Sequence, residues 1–161
     1  MIVDLVLGAK SENIPQRERI ERAMQSIQEY ETQLTQYLLD ELTAIESVIV
    51  YGPKDATRRT STVAFNIAGQ NPMGVARHLD KMKIETRAGC HCATLAHYYL
   101  GINPPASCRI SPYFYNTMEE MRYIVEAIRK ISSKPTPKRA RKLGEAYKTV
   151  KAWVKHKRHL R

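Results

Sequence analysis

The sequence predicts an α+β fold: a small, mostly antiparallel sheet covered by helices. Three observations predict it. Long stretches with apolar residues at spacings of three and four are separated by four short runs of β-forming residues. The order reads helix, two strands, helix, two strands, helix, which is not the strict alternation of a parallel sheet. Turn and capping residues stand at the junctions between these stretches. Hydrophobic residues make up 43% of 161, enough for a packed core.

The first helix is expected over about 15–45. Ile20, Met24, Ile27, Tyr30, Leu34, Tyr37, Leu38, Leu42 and Ile45 form its apolar stripe. Pro15 suits its first turn, and Asn13 its cap. Val48 to Tyr51 reads as a strand stopped by Gly52-Pro53. Lys54 to Thr60 is a polar loop, and Ser61 to Ile67 alternates as a second strand. Asn71 caps a second helix with Pro72 at its first position and Val75, Leu79 and Met82 inward. Ile84 to Arg87 reads as a third strand ending at Gly89. Cys90 to Pro105 follows as a loop with a short helix, and Cys108 to Ser111 as a fourth strand. Thr117 and Glu120 have the spacing of a capping box. The helix they open carries Met121, Ile124, Val125, Ile128 and Ile131 on one face.

This organisation gives a lead at 1–14, a body at 15–131, a Ser/Pro/Lys linker at 132–137 and a tail at 138–161. Charge follows the same division. Residues 134–161 hold 11 Lys or Arg against one acid, Glu145, which accounts for the whole net charge of +10. The body is neutral, so the basic balance says nothing of its role. In the tail, Leu143, Ala146, Tyr147, Val150, Trp153 and Val154 fall at helical spacing among the cations. Such a helix packs its stripe on the body or frays as a solvated tail. Alternatively it meets an anionic partner, nucleic acid or membrane surface.

No apolar run approaches the about 20 residues of a membrane span. The opening Met1 to Leu7 is short, broken by Asp4 and lacks a basic start, which argues against a secretory signal. Three cysteines without such a signal make a disulfide framework unexpected. A reducing, cytoplasmic setting with free thiols is expected.

The chemistry concentrates in Arg87-Ala88-Gly89-Cys90-His91-Cys92-Ala93, followed by Ser107-Cys108-Arg109-Ile110-Ser111 and Tyr115-Asn116-Thr117. A nucleophilic cysteine acts as thiolate, and nearby cations favour that form. Cys92 has His91 beside it and Arg87 five residues back. Gly89 permits a sharp turn between them. Arg109 falls on a separate strand of the same sheet. Two guanidinium forks flanking a loop suit a carboxylate, and a thiol near such a clamp suits an amino-acid substrate. Two other readings stand beside this one. A histidine next to a cysteine can be incidental. Cys90, His91, Cys92, His97 and Cys108 offer zinc-ligating types, although a C-H-C triplet lacks the two spaced pairs of structural zinc sites. Cys108 alone reads as a small buried hydrophobe.

R-x-G-x-H-C-A, then C-R-x-S, then Y-N-T-x-E-E together resemble the C-terminal small domain of the class V aminotransferase superfamily. Within it they resemble cysteine desulfurases and selenocysteine lyases of the short-loop type. Tyr51-Gly52-Pro53, Val63 to Asn66 and Leu79-Asp80 stand in that family's order, and the resemblance covers about residues 15–131. It implies a pyridoxal-phosphate (PLP) enzyme that moves sulfur from L-cysteine to a cysteine persulfide and releases alanine. Cys92 matches the sulfur acceptor, with His91 beside it. Arg109 matches the arginine that holds the substrate carboxylate, and Arg87 a second arginine lining the site. Cys90 departs from the family, where histidine often stands. The resemblance also implies that PLP forms a Schiff base with a lysine on a large N-terminal domain. No lysine here has that context, and Lys10 is a poor candidate. The implied partners are therefore a PLP-binding large domain, a second copy, or both, and the chain alone would be inactive. The alternatives are a truncated or repurposed non-catalytic domain, or a nucleic-acid-binding protein acting through residues 138–161.

Overall fold

The computed structural model describes Val6 and residues 14–133. The remainder of the lead, the linker from residue 134 and the basic tail lie outside the described residues, and with them the expectations for Asn13, Lys10, Trp153 and an anionic partner. The observed order is α1 (Gln16–Thr43), β1 (Val48–Tyr51), β2 (Val63–Ile67), α2 (Pro72–Lys81), β3 (Arg87–Gly89), α3 (Thr94–Tyr99), β4 (Ser107–Ile110) and α4 (Met118–Ser132). The strands form one sheet in the order β1-β2-β4-β3, and every neighbouring pair is antiparallel. This is the predicted α+β class.

Local chemistry sets most of the ends. Asn71 accepts a hydrogen bond from the Met73 N–H at 2.9 Å, and Pro72 opens α2. At α4 the capping box is complete. The Thr117 hydroxyl accepts from Glu120 N–H at 3.2 Å, and the Glu120 carboxylate accepts from Thr117 N–H at 2.7 Å. Asn116 extends this corner by donating to Glu120, while its backbone carbonyl accepts from the Tyr30 hydroxyl of α1 at 2.9 Å. The Tyr-Asn-Thr-x-Glu-Glu motif therefore serves to start a helix and tie it to α1.

Two boundaries differ from the sequence reading. Pro15 precedes α1 rather than lying inside it, and its carbonyl accepts from Arg19 N–H at 3.0 Å. The third strand begins at Arg87 instead of Ile84. Ile84 closes α2: its N–H bonds the Leu79 carbonyl at 3.0 Å and Lys83 N–H bonds that of Asp80 at 2.9 Å. Lys83 takes φ +61, so the pattern is a Schellman motif with lysine in the left-handed position usually given to glycine. The accompanying apolar contact is Ile84 against Leu79, 6% and 0% exposed.

The two faces of the sheet do different things. Val48, Val63, Phe65, Ile67, Cys108 and Ile110 point into one core shared with α1, α2 and α4. Leu34, Leu38 and Leu42 enter from α1, and Met121, Ile128 and Ile131 from α4. Each large side chain buried there contributes about 1.5–3 kcal/mol. The α1 stripe is not covered throughout: Ile20 and Met24 are 40% and 54% exposed, and Ala23 is the buried residue of those turns. The alternate strand positions, Tyr51, Ala64, Asn66, Arg109 and Arg87, fall on the opposite face by the period-two rule.

Candidate active site

That second face carries the predicted site. Arg87 on β3 stands directly opposite Arg109 on β4, and Arg109 stands opposite Ala64 on β2. Residues directly opposite in an antiparallel pair share a face with Cβ atoms about 4.5–5.5 Å apart. Two like charges held there are unfavourable without an anion between or beside them. No carboxylate among the described residues pairs with either arginine, and the Nε of half-buried Arg109 has no partner.

The thiol loop starts where β3 ends. Gly89 takes φ +136, which a side chain would strain although space for one exists. His91 and Cys92 then both take left-handed backbone, at φ 52 and 56, and Ala93 N–H bonds the Cys90 carbonyl at 2.7 Å. Residues 90–93 thus form a mirror-image, type I′-like turn. Such a turn normally takes Asn or Gly at its central positions, and strained backbone of this kind concentrates at functional sites. Cys90 and Cys92 are exposed, whereas Cys108 is buried in the core. Burial pushes the Cys108 thiol up, so it stays protonated.

Two histidines brace the turn against β4. The His91 Nε2–H donates to the Ser107 carbonyl at 2.9 Å, which leaves Nδ1 as a buried acceptor without a partner. Burial pushes the imidazole below its ordinary range, the Ser107 carbonyl opposes this, and the charges of Arg109, His97 and Arg87 deepen the lowering. His91 is therefore neutral near pH 7, and the field of both arginines reaches the turn that carries Cys92. His97, 6% exposed, donates from Nδ1 to the Ala93 carbonyl at 2.8 Å and accepts at Nε2 from the Ser107 hydroxyl at 2.9 Å. Ser107 is the hub, bonding one histidine through its carbonyl and the other through its hydroxyl.

The fold thus brings Arg87, His91, Cys92 and Arg109 to one edge of one sheet face. Sequence reasoning missed Ser107 and the bracing role of His97. The only signal for Ser107 was its alternation with Arg109, which puts both on the same face. Among the described residues no group of three or more His, Cys, Asp or Glu could hold a metal ion. A cavity of about 330 Å³ lies between α1 and the 56–61 loop and includes none of these four residues. PLP does not fit the described residues as its holder. A Schiff-base lysine needs an enclosed site, and Lys54, Lys81, Lys83 and Lys130 are all exposed. No helix among the described residues is long and apolar enough to cross a membrane.

Fold and loop together define a small α+β domain that presents an exposed thiol beside a pair of unpartnered arginines. The aminotransferase class-V family model matches residues 19–124, and the chain belongs to that family. A cysteine desulfurase of Escherichia coli O127:H6 is 38% identical over 109 residues, covering 67% of this chain and 25% of that protein. A probable cysteine desulfurase of Staphylococcus epidermidis is 36% identical over 105 residues, covering 65% and 24%. Among solved structures, the apo form of a cysteine desulfurase from Thermococcus onnurineus NA1 superimposes with TM-score 0.66 at 30% identity, covering 72% of this chain and 28% of that one. A cysteine desulfurase from E. coli shares the fold, with TM-score 0.59 at 21% identity. The chain spans about a quarter of the length of the curated relatives it matches.

Proposed function

We propose that this domain supplies the sulfur-accepting half of a cysteine desulfurase site, completed by a PLP-bearing large domain outside these 161 residues. The observation that carries the reading is the opposed pair Arg87 and Arg109, without a counter-ion, beside the turn that exposes Cys92. Arg109, half-buried with an unpartnered Nε, holds the α-carboxylate of L-cysteine, and Arg87 adds charge at the rim. Cys92 takes the substrate sulfur as a persulfide and alanine is released. His91 fixes the turn through Ser107 and stays neutral, so it presents an acceptor and no added positive charge. The carbon chemistry belongs to PLP on the large domain. The exposed Leu95, Tyr99 and Leu100 after the turn offer apolar surface to that domain or to a second copy.

The test is the Cys92→Ser variant of the assembled enzyme. It is expected to keep L-cysteine binding within about twofold and to lose persulfide formation by at least 10³-fold, in order-of-magnitude terms for a lost nucleophile. Persulfide production by that variant at the wild-type rate would sink the assignment.

A further inference from the structure

We propose that Cys90 is a second working thiol, which attacks the persulfide on Cys92, closes a Cys90–Cys92 disulfide and releases the carried sulfur as sulfide. The inference rests on the reading of Cys92 as the sulfur acceptor. It begins from geometry. Both thiols are exposed and one residue apart. Two Cα steps of about 3.8 Å, folded by the 90–93 turn, fall within the about 4.4–6.8 Å that a disulfide spans. The Cys92 N–H and the Thr94 hydroxyl are close enough to the Cys90 sulfur to favour its thiolate form.

The same contacts prepare it as an attacking group. The Cys92 N–H, then the Thr94 hydroxyl, hold the Cys90 thiol below its ordinary value against the opposing effect of burial, and Arg87 adds to the lowering. Cys108 cannot compete, since it is buried on the other face of the sheet. The left-handed backbone at His91 and Cys92 folds Cys90 and Cys92 into one tight turn, which gives the strained turn a use.

The step balances. The Cys90 thiolate attacks the Cys92 sulfur, and a bond forms between the two cysteine sulfurs. The bond from the Cys92 sulfur to the terminal sulfur breaks, and the terminal sulfur leaves with the bonding pair as hydrosulfide. The Cys90 sulfur is oxidised to the disulfide level that the Cys92 sulfur already holds in the persulfide, while the terminal sulfur is reduced to sulfide. A small thiol or dithiol reductant then restores both cysteines. The domain would in this way release sulfide without a protein acceptor.

The test uses the full-length chain, reduced and then treated with inorganic polysulfide. Excess reagent is removed, and intact mass and trapped sulfide are followed with time. Wild type is expected to end two hydrogens lighter than its reduced form, with sulfide released. Cys90→Ser is expected to hold one extra sulfur, mapped to Cys92, at least about 10-fold longer. Thr94→Val, which keeps both thiols, is expected to slow closure several-fold. Equal loss of the added sulfur from wild type and Cys90→Ser would overturn the role of Cys90 while leaving Cys92 as acceptor. Failure of Cys92 to take up sulfur in Cys90→Ser would overturn the assignment of Cys92 and the inference with it.

Discussion

Ser107→Ala tests the hub that holds the thiol turn. The hydroxyl of Ser107, 2% exposed, is the donor to the His97 Nε2 at 2.9 Å. His97 itself is buried, and its Nδ1–H is already committed to the Ala93 carbonyl. Removing the hydroxyl leaves one buried acceptor without a donor. That costs about 1–3 kcal/mol, because the desolvation of the ring nitrogen is no longer offset. In a domain of this size the midpoint should fall by roughly 4–12 °C. The assay is thermal and urea unfolding of the full chain, repeated in a His97→Leu background. There the hydroxyl has no nitrogen to satisfy, and Ser107→Ala should cost less than about 0.5 kcal/mol, giving a coupling of at least about 0.5 kcal/mol. The His91 bond goes to the Ser107 backbone carbonyl, so it survives the substitution. A cost within about 0.5 kcal/mol of zero in the wild-type background, or the same cost in both backgrounds, would refute the bracing network.

Three further outcomes follow from the same geometry. Arg109→Lys keeps the charge but loses the fork, and should raise the KM for L-cysteine of the assembled enzyme by about 10- to 100-fold, the loss of a charge-assisted bond; an unchanged KM would remove Arg109 from the carboxylate clamp. His91 is pushed below its ordinary imidazole value, about 6.5. The unfolded chain therefore binds the proton first, and the contribution of His91 to stability is present above about pH 6.5 and is lost as pH falls toward the lowered folded value. His91→Gln should flatten that stretch of the stability curve, as read by unfolding midpoints from pH 7 down to 5. Thr117→Ala removes half of the capping box at α4 and should cost about 1 kcal/mol in the same unfolding assay.

What the sequence showed and what it hid follow one physical line. Asn71 and the Thr117–Glu120 pair were legible because a cap acts within three residues, and spacing alone identifies it. The sheet faces were legible through alternation, with Val63, Phe65 and Ile67 inward. The β3 boundary was not. Ile84-Glu85-Thr86-Arg87 alternates like a strand, yet Ile84 is taken by the end of α2 through Lys83 in a conformation that glycine usually announces. Cys92, Arg87 and Arg109 were visible as residue types in a motif. Their meeting depends on the β3–β4 register, which sets Arg87 opposite Arg109 and which spacing does not reveal. The consecutive left-handed His91 and Cys92 carry only a weak local signature, since histidine is enriched in that backbone but cysteine is not. Ser107 and His97 were missed for a related reason. A lone serine and a lone histidine become a network only when α3 folds back on β4.

The central claim is that Cys92 receives sulfur from L-cysteine in a site completed by PLP. The most direct measurement is on the protein bearing this domain, purified from its own cells, by PLP absorbance and native mass spectrometry, then by peptide mapping after brief exposure to sulfur-labelled L-cysteine. The account predicts a PLP-containing assembly in which the label sits on Cys92, and no label on that assembly when Cys92 is serine. A colourless chain without PLP, or label that enters the protein equally well in the Cys92→Ser variant, would contradict it.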